Sequence, residues 1–246
     1  IFRTIEFEQM EHQWFCKEGT DQEYYAEYKK RAWQFLLDLG FKEEHLRFHD
    51  HDKLAHYAKA ACDIQYDFPM GWSELNGIHN RTDYDLSRHQ EYSGKSMTYV
   101  DPVTQERYIP YVIEYSIGAD RLMLATLSEA YDEETLENGE VRNVMRFHPA
   151  IAAYKAAVLP LQKGLAPQAK ELLQKLKKHF LVTYDEAGSI GKRYRRQDEI
   201  GTPYCLTVDF DTLQDGTVTV RDRDTMEQVR MTADEVVAFL AEKCAF

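Results

Sequence analysis

Two stretches place carboxylates and guanidiniums where their charge must be answered by something. In GWSELNGIHNRTDYDL, Glu74 sits in an apolar setting and is followed by Arg81, Asp83 and Asp85 at alternate positions. In YIPYVIEYSIGADR, Tyr108 to Ile113 reads as a strand interrupted by Glu114 and Ser116, with a turn at Gly118 and Arg121 in the first turn of a helix. An ionised group at the end of a buried strand is costly without a partner. An internal Glu–Arg pair would meet that demand for Glu74 or Glu114 taken singly. Several acids and arginines on strand ends suit another task, holding an ammonium group and phosphates together.

A second chemical signal lies in GSIGKRYRRQDEIGTP, where Lys192, Arg193, Arg195 and Arg196 fall within five residues around Tyr194. A short basic run is usually a solvated face. Here the aromatic ring among the cations, in a loop after a glycine-bracketed turn, also suits stacked bases and phosphates. A third signal, EEHLRFHDHDKLAHYAK, gathers His45, His49, His51 and His56 among acids and raises a metallohydrolase reading. No apolar helix is there to carry such ligands, so no zinc is expected.

The elements that must position these groups follow from periodicity. DQEYYAEYKKRAWQFLLDLG puts Tyr24, Tyr28, Ala32, Phe35 and Leu36 on one helical face and ends at Gly40. IFRTIEFEQMEHQWFC alternates roughly as a strand and begins in mid-pattern without Met, which suggests that the natural protein continues upstream. Later, AAVLPL reads as a strand and APQAKELLQKLKKHF as an amphipathic helix with lysines outward. LVTYD, CLTVDFD and VTVRDRD are strands, Asp215-Gly216 is a hairpin turn signal, and TADEVVAFLAEK opens with Thr232 and Glu235 in capping-box spacing. Together they predict a small α/β domain with a mixed sheet.

Charge divides the chain. The net charge of -12 falls wholly on residues 1–147, because residues 148–246 hold 14 Lys+Arg against 14 Asp+Glu. A domain boundary near residue 147 follows, with Pro149 as punctuation. At 246 residues and 43% hydrophobic the chain can bury a sizeable core. It shows no apolar run long enough for a membrane span and no secretory leader. Four well-separated cysteines without a CxxC pair suit reduced thiols in a cytoplasmic protein.

Taken in order, these segments resemble the glycyl-tRNA synthetase family of the dimeric, histidyl-like class II type. FRTIEFEQME resembles the second half of class II motif 2, GWSELNGIHNRTDYDL the family's glycine-site strand and turn, and VIEYSIGADR motif 3 with its G-x-D-R ending. GSIGKRYRRQDEIGTP and VTVRDRDTMEQ resemble the anticodon-binding domain. The resemblance implies an α/β (α+β) chain: residues 1–147 as the C-terminal part of an antiparallel-sheet catalytic domain, and 148–246 as the anticodon-binding domain. It further implies glycyl-adenylate formation from glycine and ATP, transfer to tRNA(Gly), Mg²⁺ carried with ATP, and a homodimer of the full-length protein.

The resemblance also implies residue roles. Arg121, Glu114 and Arg81 would be catalytic. Phe2, Arg3, Glu6, Phe7, Glu74, Leu75, Gly118 and Arg121 would line the ATP site, with Phe7 stacked on adenine, Arg121 over the opposite ring face or at the γ-phosphate, and Glu74 meeting Mg²⁺. Phe7, Glu8, Gln9, Met10, Glu11, Arg81, Glu114, Ser116 and Gly118 would form the glycine pocket. Lys192, Arg193, Tyr194, Arg195 and Arg196 would meet tRNA. Glycine offers no side chain to grip, so a pocket for it would exclude larger amino acids by leaving no room and gain affinity from ammonium contacts. Motif 1 and the first motif 2 arginine do not occur in the chain, so an isolated piece of this length is expected to be inactive. Ile5 stands where many relatives are basic and Tyr115 where they often have proline, which makes the turn after Glu114 a point to check. The alternative reading is a non-catalytic tRNA-binding paralogue of the same fold.

Overall fold

A computed structural model describes residues 2–246. The chain forms two compact units, Ile1–Ser128 and Glu129–Phe246.

The first unit contains β1 (Gln9–Cys16), α1 (Asp21–Asp38), β2 (Leu46–Asp50), β3 (Ala60–Phe68), β4 (Gly71–Asn80), α2 (Tyr84–Ser93), β5 (Tyr99–Val100), β6 (Arg107–Tyr108), β7 (Tyr111–Gly118) and most of α3 (Ala119–Ala130). Five strands pair antiparallel in the order β1-β7-β4-β3-β2. α1 packs on β4 and β7, and Tyr25, Tyr28, Ala32 and Leu36 enter the core with Ile64, Ile78, Ile113 and Ile117. Phe35, expected on the buried face, is instead 39% exposed. Strand order begins later than the alternation suggested: residues 2–8 are irregular, and only Gln9–Cys16 pairs.

β7 also departs from expectation. It runs unbroken through Glu114 and Ser116 to Gly118, so no turn follows Glu114, and Tyr115 simply packs against the core. Charge does not interrupt the strand because neighbouring side chains answer it, as the site geometry shows.

The second unit contains β8 (Tyr131–Thr135), β9 (Val141–Met145), β10 (Ala156–Pro160), α4 (Ala166–Leu176), β11 (Val182–Tyr184), α5 (Ile190–Glu199), β12 (Tyr204–Val208), α6 (Thr212–Asp215), β13 (Thr217–Asp222), β14 (Gln228–Thr232) and α7 (Ala233–Lys243). Its sheet, β11-β10-β12-β13-β14, is mixed: β10 is parallel to β11 and β12, and the remaining pairs are antiparallel. Leu172, Leu173 and Leu176 of α4 and Val236 and Leu240 of α7 share one core with the sheet. Thr232 and Glu235 close the capping box at the start of α7. Asp215-Gly216 ends the helical turn α6 with glycine at φ +71, so the β12–β13 connection is longer than a two-residue hairpin.

These units part ahead of the boundary drawn from charge near residue 147. The β8–β9 hairpin lies within the second unit because Arg142 and Arg146 tie it to acids there. Cys16, Cys62 and Cys205 are buried free thiols, and burial pushes Cys205 up to about 12.

Candidate active site

The sheet face turned away from α1 carries the acids of the first unit. Alternation sends Ile113, Tyr115 and Ile117 toward the core and Glu114, Ser116 and Gly118 to the opposite face. Register sets Glu11 and Gln13 of β1 against Ser116 and Glu114 on one side, and Gly77 and His79 of β4 against the same pair on the other. Two cavities open along this polar strip.

The first, of about 260 Å³, is lined by Phe2, Arg3, Phe7, Glu8 and Gln9, by Glu74 and Leu75 of β4, and by Ser116, Gly118, Asp120 and Arg121. Arg121 is held from two sides. Its Nη1 donates to the Glu74 carbonyl at 3.1 Å and lies 3.1 Å from Glu74 Oε2, while its guanidinium covers the Phe2 ring at 4.4 Å. Phe2 in turn meets Phe68 edge-on at 5.4 Å. The ring beneath Arg121 is thus Phe2, whereas Phe7 leaves 63% of its surface open beside it. The open Phe7 ring, the Phe2 ring under Arg121, the arginines and the start of α3 suit a planar base and its phosphates. Glu74 offers hard oxygen donors of the kind Mg²⁺ takes, with one oxygen already paired to Arg121, so it fits as a single ligand at most.

The second cavity, of about 360 Å³, is lined by Glu11, Gln13, Arg81, Asp85, His89 and Glu114 among others. Glu114 is only 8% exposed. Arg81 Nη1 donates to its Oε1 at 3.3 Å, His79 Nδ1 lies 3.5 Å from the same oxygen, and Gln13 Nε2 donates to Oε2 at 3.3 Å. The His79 ring and then the Arg81 guanidinium, working against desolvation, hold the Glu114 carboxyl below the ordinary glutamate range. Arg81 is anchored by Asp85, at 2.7 Å to Nε and 3.3 Å to Nη2, and lies over the Tyr57 ring at 4.3 Å. Asp85 accordingly raises the Arg81 pKa. A charged carboxylate with long contacts, facing an open cavity, can accept a cationic ligand.

Most of the expected residues converge on these cavities. Glu6 does not line either one, and Met10 falls on the other face of β1, in register with Ile117. Gln13, Gly77, His79 and Asp120 belong to the strip and were not singled out by sequence. Alternation from Glu114 would have found Gln13, Gly77 and His79 only with the strand register already in hand.

The histidines are dispersed. His51 Nε2 lies 2.8 Å from Asp63, His49 meets the His51 ring at 6.0 Å, His56 meets Tyr84 Oη at 3.0 Å and His45 meets the Tyr66 ring at 6.3 Å. Among the described residues no three His, Cys, Asp or Glu side chains group in a way that could hold a metal ion.

The basic run of the second unit is a helix, α5, and not a loop. Arg193 is 4% exposed and donates to the carbonyls of Pro160 and Gly188. Arg196 pairs with Asp185 and the Ala187 carbonyl, and Arg195 with Glu140 at 3.4 Å. Tyr194 Oη bonds Thr207 at 2.7 Å with Arg221 over its ring at 4.8 Å, so it is no free stacking platform. Lys192 remains exposed. On the buried side of the same helix, Asp198 takes Arg221 in a bidentate pair at 2.9 and 3.2 Å and lies 3.2 Å from Arg142.

Comparison with known proteins shows what the chain is similar to. Residues 155–243 match the anticodon binding domain. The whole chain is 60% identical to a glycine–tRNA ligase of Clostridium kluyveri, covering 53% of it, and 60% identical to those of Clostridium perfringens and Geobacillus kaustophilus, covering 54% of each. The chain therefore spans about half the length of the curated relatives it matches. The crystal structure titled as the RNA binding domain of threonyl-tRNA synthetase from Cryptosporidium parvum Iowa II aligns with a TM-score of 0.71 at 17% identity, over 96% of this chain and 64% of that one. That likeness speaks to the fold.

Proposed function

We propose that this chain, 60% identical to glycine–tRNA ligases and spanning about half their length, belongs to their family, and that the two cavities of the first unit are the ATP and glycine subsites of an adenylating centre, completed in the full-length protein. The observation that carries this is the shared strip of β7, which sets Ser116 on the Arg121 cavity two residues from Glu114 on the Arg81 cavity. At about 3.3 Å per strand residue, those groups lie within one small molecule's reach.

The reaction is the one implied by the glycine–tRNA ligases that the chain resembles. A glycine carboxylate oxygen attacks the α-phosphorus of ATP, the bond to the bridging oxygen breaks, and pyrophosphate leaves with its electron pair. A terminal ribose hydroxyl of tRNA(Gly) then attacks the glycyl carbonyl, its proton passes to the departing phosphate or to solvent, and the acyl–oxygen bond to the phosphate breaks to release AMP. Arg121 and Arg3 answer phosphate charge, the Phe2 and Phe7 rings offer apolar faces for adenine, and Glu114 and Glu11 take the ammonium group. Mg²⁺ would neutralise phosphate charge and meet Glu74. Positioning and electrostatics do most of the work, because no covalent intermediate with the protein is needed. The second unit would bind tRNA, and the protein would act as a cytoplasmic homodimer. No helix among the described residues is long and apolar enough to cross a membrane.

ATP–pyrophosphate exchange by the full-length protein, run with each of the twenty amino acids, tests this reading. Exchange with glycine alone is expected. A folded, ATP-binding protein that exchanges with none would be a non-catalytic tRNA-binding relative. Ser116→Ala should weaken glycine binding without admitting alanine, and efficient alanyl-adenylate formation would overturn steric exclusion as the basis of selection.

A further inference from the structure

His79 is close to Glu114 without being spent on it. Its Nδ1 is buried and has no hydrogen-bond partner among the described residues, yet lies 3.5 Å from Glu114 Oε1. That oxygen already receives Arg81, while Oε2 accepts from the Gln13 amide at 3.3 Å. The ring is held in place from behind: His51, itself paired to Asp63 at 2.8 Å, meets it edge-on with centroids 6.2 Å apart.

Gly77 explains how the imidazole can lie there. Residues 77 and 79 share one face of β4, and the His79 ring folds back over the bare backbone of Gly77. A Cβ at residue 77 would stand 2.7 Å from His79 Cε1, closer than packed carbon atoms allow. Any side chain at this position would drive the ring toward Glu114 or out of the strip.

We infer that Gly77 and His79 are a positioning pair for Glu114, which fix its Oε1 against His79 and Arg81 and so present Oε2 to the substrate ammonium. The inference rests on the reading of the Glu114 cavity as the glycine subsite. It assigns no chemical step to His79, only the orientation of the carboxylate. A carboxylate held by one face binds a cation without first losing the freedom to rotate, so the gain falls on glycine affinity and leaves ATP untouched.

The test is a glycine titration of ATP–pyrophosphate exchange with the full-length protein. His79→Ala is expected to raise the glycine KM about tenfold while kcat and the ATP KM stay within about twofold. His79→Asn, whose side-chain amide can replace the Nδ1 donor, should restore most of the affinity. Gly77→Ala should raise the glycine KM in the presence of His79 and add nothing in the His79→Ala background, because its effect passes through the ring. An unchanged glycine KM in His79→Ala, or an equal cost of Gly77→Ala in both backgrounds, would overturn the pair. Wild-type protein that fails to exchange with glycine would instead remove the subsite reading on which the pair depends.

Discussion

Glu114 in the first unit and Asp198 in the second are both buried acids facing arginines, 8% and 1% exposed. Asp198 is saturated: Arg221 takes both oxygens and Arg142 stands beside it, with Glu134 answering Arg142 in turn. Glu114 is held loosely, at 3.3 to 3.5 Å, by an arginine that Asp85 grips more tightly, and it faces a cavity of about 360 Å³. The same residue types build a closed scaffold in one place and an open site in the other. What distinguishes them is the number of good partners left over for a ligand.

Removing a saturated acid should therefore cost stability most. Asp198→Ala leaves Arg221 buried without a counter-charge and Arg142 with Glu134 alone, and should lower the urea unfolding free energy of the second unit by about 3–5 kcal/mol. A near-neutral result would mean that this cluster, too, is loosely held. Gly201→Ala comes next, at about 3 kcal/mol, because φ is +77 and a Cβ would lie 2.9 Å from the Met145 carbonyl and closer still to the Phe147 ring. Thermal denaturation reads that loss.

The surface of the second unit gives a milder contrast. The Arg230 guanidinium draws Asp209 down to about 2 from 3.8. A depressed carboxylate contributes stability that is complete above about pH 4 and is lost as pH falls toward 2. Asp209→Asn should flatten the acid limb of the stability curve in that window, and an unaltered limb would mean that the Arg230 contact contributes nothing in solution. The smallest effect belongs to Lys192→Glu. It should leave stability unchanged and reduce the salt dependence of tRNA binding by about one phosphate contact. An unaltered salt slope would place the RNA surface elsewhere.

Local pattern revealed more of the scaffold than of the site. The α7 capping box, the leucine stripe of α4 and the mixed sheet of the second unit all follow from residues close in sequence. The acids at 74 and 114 and the arginines at 81 and 121 also stood out, since charge in apolar runs demands an explanation. What could not be read was the pairing. Gln13 and His79 join Glu114 only through the β1–β7–β4 register, and Met10 leaves the site for the same reason. The basic run misled because its arginines are close in sequence but point to different acids and carbonyls. Charge spacing cannot tell a cation offered to solvent from one consumed by a backbone carbonyl.

Glycine-dependent ATP–pyrophosphate exchange by full-length Glu114→Gln tests the contrast most directly. Expected are a fall of about 100-fold or more in kcat/KM for glycine, an unchanged ATP KM and a melting temperature close to wild type. Near-normal exchange, or a protein as destabilised as Asp198→Ala, would show that Glu114 is another closed structural acid and that the ammonium group binds elsewhere.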